Sequence, residues 1–302
     1  MRVFVTGASG HIGSAVVPEL LAAGHQVVGL ARSEGSAAAL AAAGAEIHRG
    51  NLEDLDGLRA AAAAADGVIH LAFDHAWMRT GDFAGAIAGD LRAIEAIGAA
   101  LEGSGKPFVG TSGTLMLSHA GIGDRAGTEL DAAESGPRID AENTVIALAG
   151  RDVRSSVVRL PPTVHSSLDR HGFVPTLISI ARERGVAGYV GDGANRWPAV
   201  HTLDAARVYR LALEGARPGT RLHAVADSGV PFREIAAAIG RGLGVPSGAV
   251  DAADVEEHFG FLARFASADN PTSSELTREW LGWAPINPAL IEDIDQGHYF
   301  GR

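Results

Sequence analysis

The chain has 302 residues, 46% of them hydrophobic and 20% charged, which is enough apolar material for one large α/β unit with a smaller appendage. A formal net charge of −11 excludes a protein that wraps nucleic acid, because phosphate binding needs clustered Lys and Arg. The absence of cysteine excludes disulfides, thiolate metal sites and a cysteine nucleophile together.

In chain order, short apolar or β-branched runs at 3–5, 26–30, 46–48, 68–71, 108–110 and 156–160 are bounded by glycine or polar residues and predict buried strands. Helices are predicted between them at 12–23, 36–43, 55–65, 83–101 and 138–149. This alternation is the pattern of an α/β fold with a doubly wound, parallel Rossmann sheet. The alanine run at 60–65 predicts a helix face packed closely on that sheet.

After Pro161-Pro162 the rhythm changes. Helices are predicted at 173–184, 203–214, 232–243, 254–261 and 272–281, with a strand at 221–226 and turns at 191–195. The division expected is an NADP-binding Rossmann domain over 1–165, rejoined by 196–228, and a smaller, mostly helical substrate-binding domain over 166–302. No apolar run approaches the roughly 20 residues that span a bilayer. The opening Met1 to Gly7 has no secretory leader pattern, so a cytoplasmic protein without a membrane partner is expected.

The run Val3-Phe4-Val5 leads into Gly7-Ala8-Ser9-Gly10-His11-Ile12-Gly13 and then a helix. In that context Gly7 permits a tight turn and Gly10 lets the backbone approach a pyrophosphate. Gly13 lets the helix pack on the strand, and the helix N-terminus offers N–H groups to the anion. At the end of the second strand, Ala31 stands where an acid would bind both ribose hydroxyls of NAD. Arg32 and Ser33 can instead meet a 2′-phosphate, so NADP(H) is expected over NAD. Asn51-Leu52 should line the adenine, and Leu71-Ala72-Phe73 should flank the ribose.

These residues resemble the extended short-chain dehydrogenase/reductase family, the group that includes nucleotide-sugar epimerases and dehydratases. Thr6-Gly7-x-x-Gly10-x-x-Gly13 is similar to its opening motif, and Gly50-Asn51-Leu52 to its Gly-Asp-Leu segment. His70-Leu71-Ala72 resembles the loop after the fourth strand, and Thr111-Ser112-Gly113-Thr114 the segment that carries the catalytic serine. Leu160-Pro161-Pro162-Thr163-Val164-His165 resembles the stretch beside the nicotinamide. Gly191-Asp192-Gly193 through His201-x-x-Asp204 and Leu281-Gly282-Trp283-x-Pro285 are similar to later family signatures.

The family's proton donor is a tyrosine four residues before a lysine, and no such pair exists here. The single lysine is Lys106, and the tyrosines are Tyr189, Tyr209 and Tyr299. One register on the family pattern puts Arg138 at the lysine and Glu134 at the tyrosine. A shift by four puts Arg138 at the tyrosine and Glu142 at the lysine. The first keeps a cation in place. The pattern resembles atypical members that keep the cofactor site and lose the dyad.

Ser112 can donate to a carbonyl oxygen, and Arg138 can hold the nicotinamide ribose. The proton donor is sought among Glu134, His119 and His165. Met116, His75, Trp77, His119, Phe73 and Phe173 are candidates for the pocket lining. Arg196-Trp197 is read as a cation and flat surface facing substrate, with packing at the domain junction as the competing reading. His201 with Asp204 reads as a structural hydrogen-bonded pair. His70 and His75 lack a third ligand at usable spacing, so no metal is expected.

The function expected is an NADP(H)-dependent oxidoreductase acting on a small carbonyl or alcohol substrate. A non-catalytic NADP(H)-binding sensor or partner-binding protein stands second, and a nucleotide-sugar epimerase or dehydratase third. A homodimer is the expectation from fold analogy.

Overall fold

The apolar runs of the first 160 residues become strands of one parallel sheet, and a seventh strand joins them from the second half of the chain. The computed structural model describes residues 1–74 and 81–301, without the His119 side chain. The strands are β1 (Arg2–Thr6), β2 (Gln26–Ala31), β3 (Glu46–Arg49), β4 (Gly67–His70), β5 (Pro107–Gly113), β6 (Arg154–Leu160) and β10 (Thr220–His223). Their order is β10-β6-β5-β4-β1-β2-β3, with every neighbouring pair parallel. The direction of winding reverses between β1 and β4, which opens a crevice at the C-terminal strand ends.

Alternation along β1 decides what each face buries. Val3 and Val5 pack with the helices Gly13–Ala22 and Thr202–Gly215. Phe4 packs on the other face with Leu55–Ala64, Phe83–Leu101 and Ile139–Ala147. Ala61, Ala62 and Ala65 of the alanine run are buried there, as a close-packed helix face requires. β3 departs from expectation. It is the sheet edge, and Glu46, Ile47 and Arg49 are exposed, because a strand with a single neighbour has less to bury against.

A second core gathers Val174, Leu177, Trp197, Phe232, Phe259 and Leu290. It contains two small sheets that the helix-dominated reading did not anticipate. One has the order β11 (Asp227–Pro231), β9 (Arg196–His201), β7 (Thr163–His165); the other pairs β12 (Ser247–Val250) with β8 (Ala187–Val190). The tail also returns to the first core. Trp283 is buried and donates Nε1–H to the Asp204 carbonyl at 3.2 Å, while the Asp204 carboxylate accepts from the N–H of Ile286 and Asn287. Asp204 and His201 therefore bond to different partners rather than to each other; His201 Nδ1 accepts from Leu203 N–H. Among the described residues no helix is long and apolar enough to cross a membrane.

Candidate functional site

The glycine turn sits between β1 and the helix Gly13–Ala22, at the sheet's switch point. Gly7 has φ +67°, and a Cβ there would lie 2.7 Å from the Ala72 backbone nitrogen. A Cβ on Gly13 would lie 2.2 Å from the Gly7 carbonyl oxygen. These positions admit only glycine, and the resulting close approach of strand, loop and helix is the cradle that a dinucleotide pyrophosphate requires. Gly10 N–H donates to Gly7 O at 3.0 Å and closes the turn. Ser9 is exposed on it, and Ile12 is half-buried.

His11 is not a free loop residue. Its Nε2 lies 2.8 Å from Thr202 Oγ1 and its Nδ1 3.7 Å from Asp169. Burial, and then the nearby His165, His171 and His201, push the imidazole down to about 4. The turn is thereby tied to the start of the helix Thr202–Gly215 and to the loop that carries Asp169.

At the end of β2, Arg32 is exposed and hydrogen-bonds no described residue, and Ser33 caps the helix Glu34–Ala42. The β2–β3 register places Arg49 opposite Ala31. Arg49 donates to Ser33 O and pairs with Glu34 at 2.8 Å. Sequence reasoning missed this second arginine, although its position as the last residue of β3 was the available signal. Asn51 Oδ1 accepts from Glu53 and Asp54 N–H, fixing the next loop, and Leu52 packs half-buried beneath it.

The loop after β4 is held from below. Thr6 Oγ1 accepts from Ala72 N–H and pairs with His70 Nδ1 at 2.8 Å; His70 Nε2–H donates to Asp90 at 3.0 Å. Leu71 is half-buried against the first core. Phe73 meets Phe83 edge-on at 6.5 Å and carries the Arg138 guanidinium 4.0 Å over its ring. Thr111 bridges the His70 carbonyl and the buried Tyr209 hydroxyl. Tyr209 is the one tyrosine that reaches this end of β5, and burial raises it above the ordinary phenol range.

Ser112 is buried at the end of β5. The parallel register sets it beside Arg159 of β6, which in turn stands beside His223 of β10. Glu142 lies over this row, with two bonds from Arg159 (3.0 and 2.6 Å) and one from Arg221 (2.7 Å). Burial works against the Glu142 charge, yet Arg159, with Ser112 and Arg221, holds the carboxyl below its ordinary value. The Ser112 hydroxyl lies beside this carboxylate without an aligned hydrogen bond. Arg159 Nη1 can only donate, so His223 Nε2 accepts and its Nδ1–H donates to Ser273 O; burial and Arg159 push His223 down to about 3.

Arg138 is the N-cap of Ile139–Ala147, in the left-handed region at φ 64°, so the helix begins one residue later than predicted. Burial pushes its guanidinium down, opposed by Asp90 and Tyr209.

Several expected site residues lie elsewhere. Glu134 is exposed on the loop before that helix, because the helix starts five residues after it, so nothing encloses it as an acid. His165 is fully buried, paired to Asp293 at 2.9 Å and packed edge-on against His201, in the seam with the second core. Strand alternation in β9 sends Trp197 inward, where it packs on Phe173 and Phe232, while Arg196 pairs with Asp269 at 2.7 Å; no cation and flat surface face substrate. Phe173 belongs to an aromatic cluster with Phe261 and Phe265. Met116 is half-buried in the turn Thr114–His119, Pro161 is buried, and Val164 packs on the first core. His75, Trp77 and the His119 side chain lie outside the described residues. Lys106, which bonds Ala63 O, stands at the opposite, N-terminal end of β5. Among the described residues no group of His, Asp and Glu could hold a metal ion.

The model of the NAD dependent epimerase/dehydratase family matches residues 3–114. The chain is 48% identical over 305 residues to the uncharacterized protein C2A9.02 of Schizosaccharomyces pombe, covering 99% of this chain and 100% of that one. It is 28% identical over 261 residues to the 2-alkyl-3-oxoalkanoate reductase of Stenotrophomonas maltophilia, covering 82% and 77%. Among solved structures, the dTDP-glucose 4,6-dehydratase DesIV of Streptomyces venezuelae, with NAD and TYD bound, superposes with a TM-score of 0.76 at 19% identity, covering 99% and 96%.

Proposed function

The chain belongs to the NAD dependent epimerase/dehydratase family, and from that premise we propose that it is an NADP(H)-dependent oxidoreductase interconverting a small carbonyl compound and its alcohol. The observation that carries the reading is the glycine-only cradle between β1 and its helix, set at the same strand ends as the buried Ser112 hydroxyl. Arg32 and Arg49 beside Ala31 favour the 2′-phosphorylated cofactor, since a phosphate accepts from guanidinium forks where an acid would repel it. When bound, NADPH supplies hydride to the carbonyl carbon and leaves oxidised, while the carbonyl oxygen takes a proton.

This chain's residues orient that exchange. Ser112 donates to the carbonyl oxygen, and Glu142, held ionised by Arg159, keeps the serine end of β5 in place. Glu134 is exposed and His165 is buried against Asp293, which leaves His119 or water to supply the proton. The reductase relative acts, by its name, on an oxo compound, which supports the same class here.

The test is to mix the protein with NADPH and a panel of aldehydes, ketones and oxo acids and follow nicotinamide absorbance. Turnover of at least one carbonyl compound supports the reading. The exposed position of Glu134 favours a second reading, a non-catalytic NADP(H)-binding sensor, which predicts binding with no turnover across the panel. No cofactor binding would remove both.

A further inference from the structure

Arg125, Arg138, Arg159, Arg196 and Arg221 lie on β6, β9, β10 and the segment that follows β5. Four are matched among the described residues: Arg125 by Asp131, Arg159 by Glu142, Arg196 by Asp269 and Arg221 by Glu142 and Asn143. Arg138 is the exception. Its guanidinium rests on the face of Phe73 and makes no hydrogen bond to any described residue. Asp90 favours its charge from a distance but already accepts from His70.

An arginine keeps its charge and five donors in any protein environment, so a half-buried one that meets no acceptor keeps its donors open to a ligand. The backbone there is also strained, since Arg138 is one of two non-glycine residues with positive φ among the described residues. Strain of this kind is kept where a site needs a side chain in one place. The Phe73 ring covers one side of the guanidinium and holds it without consuming its donors.

Glu142 follows Arg138 by four residues, one helical turn, and Ser112 lies beside Glu142. Arg138 and Ser112 therefore flank the first turn of the same helix. Two donors so placed suit a ligand with a carbonyl or hydroxyl oxygen at one end and an anion a short distance away. A carboxylate matches the planar guanidinium fork.

We propose that Arg138 is the seat of a substrate carboxylate, so that the substrate is an oxo acid, or the corresponding hydroxy acid, whose carboxylate stands one or two carbons from the reacting carbon. The proposal rests on the oxidoreductase reading and narrows it. The competing claim on these donors is the nicotinamide ribose.

The experiment uses the NADPH complex and 3-hydroxybutanoate, which cannot react with the reduced cofactor, against its methyl ester, both titrated by calorimetry. The acid should bind about 30-fold more tightly than the ester, the size expected for charge-assisted hydrogen bonds. Arg138→Gln should erase that preference while NADPH affinity stays within about threefold, and Arg138→Lys should keep part of it. Equal binding of acid and ester by the wild-type protein overturns the proposal without recourse to any variant. So does an Arg138→Gln protein that loses NADPH affinity yet keeps the acid preference, which would assign the arginine to the ribose. Arg138-dependent acid binding with no turnover of any oxo acid would leave the seat standing and remove the oxidoreductase reading instead.

Discussion

The Arg138 guanidinium lies 4.0 Å over the Phe73 ring. This contact joins the helix that follows β5 to the loop that follows β4, across the strand ends where the sheet changes direction. A carboxylate in place of the ring would hold the arginine more firmly but would also consume its donors. The ring holds it and leaves them available.

Gly10→Val should fold and fail to bind the cofactor. Gly10 does not need a positive φ, and a Cβ there would sit 3.2 Å from Gly7 O, tight but not impossible. The added side chain fills the space through which a pyrophosphate approaches the backbone. Affinity for NADPH should fall by more than about 100-fold, roughly 3 kcal/mol, with the melting temperature nearly unchanged. Calorimetry that found ordinary affinity would take the cofactor away from this turn.

Arg32→Asp should move the preference from NADPH toward NADH. Arg32 has no acceptor among the described residues, so its removal costs the free protein little. The loss of one guanidinium-phosphate contact, about 1.5–3 kcal/mol, corresponds to roughly 10- to 150-fold in NADPH affinity. Arg49→Ala should act in the same direction but more weakly, because Arg49 is already engaged by Glu34. An unchanged ratio of NADPH to NADH affinity in Arg32→Asp would rule out the 2′-phosphate assignment.

The local signals explain how much of this was legible beforehand. The helices Phe83–Leu101, Phe173–Arg184 and Phe232–Leu243 have the predicted ends because each stop or start is chemical: Asp82 accepts from Gly85 N–H, and Gly185 and Gly244 close their helices in the left-handed region. The cofactor turn was legible for the same reason, since its glycines are adjacent in sequence. The row Ser112, Arg159, His223 was not, because parallel pairing brings together residues far apart in the chain. Arg49 depends on the same kind of register, and Asp90 on the packing of the helix Phe83–Leu101 against β4. Arg196-Trp197 was misread because a strand turns successive side chains to opposite faces, one to Asp269 and one into the second core.

Glu142→Ala should destabilise the protein substantially. The substitution strands Arg159, which is 2% exposed, with no carboxylate partner and only the neutral His223 to bond. Removing one partner of a buried pair costs about 3–5 kcal/mol, since the other charge stays desolvated. For a protein of this length that is a fall of roughly 10 °C in melting temperature. Thermal melting followed by circular dichroism checks it, and a fall under about 2 °C would mean that water reaches Arg159 and replaces the carboxylate.

Acid should weaken the fold through two histidines. His11 is pushed down from 6.5 to about 4 and His223 to about 3, in both cases chiefly by burial. A histidine depressed in the folded state takes up its proton first in the unfolded chain. Its contribution is therefore complete above pH 6.5, and declines as the pH falls from 6.5 toward the folded value. For His11 the loss is roughly 3 kcal/mol by about pH 4, and His223 extends the decline to about pH 3. His11→Gln keeps a group able to bond Thr202 but cannot titrate, so its denaturant midpoint should fall less between neutral pH and about 4 than that of the wild type. Parallel acid limbs for the two proteins would show that protonation of His11 is not coupled to folding. The same substitution should leave stability at neutral pH close to that of the wild type, because the imidazole there is uncharged and contributes a hydrogen bond that the amide can also make.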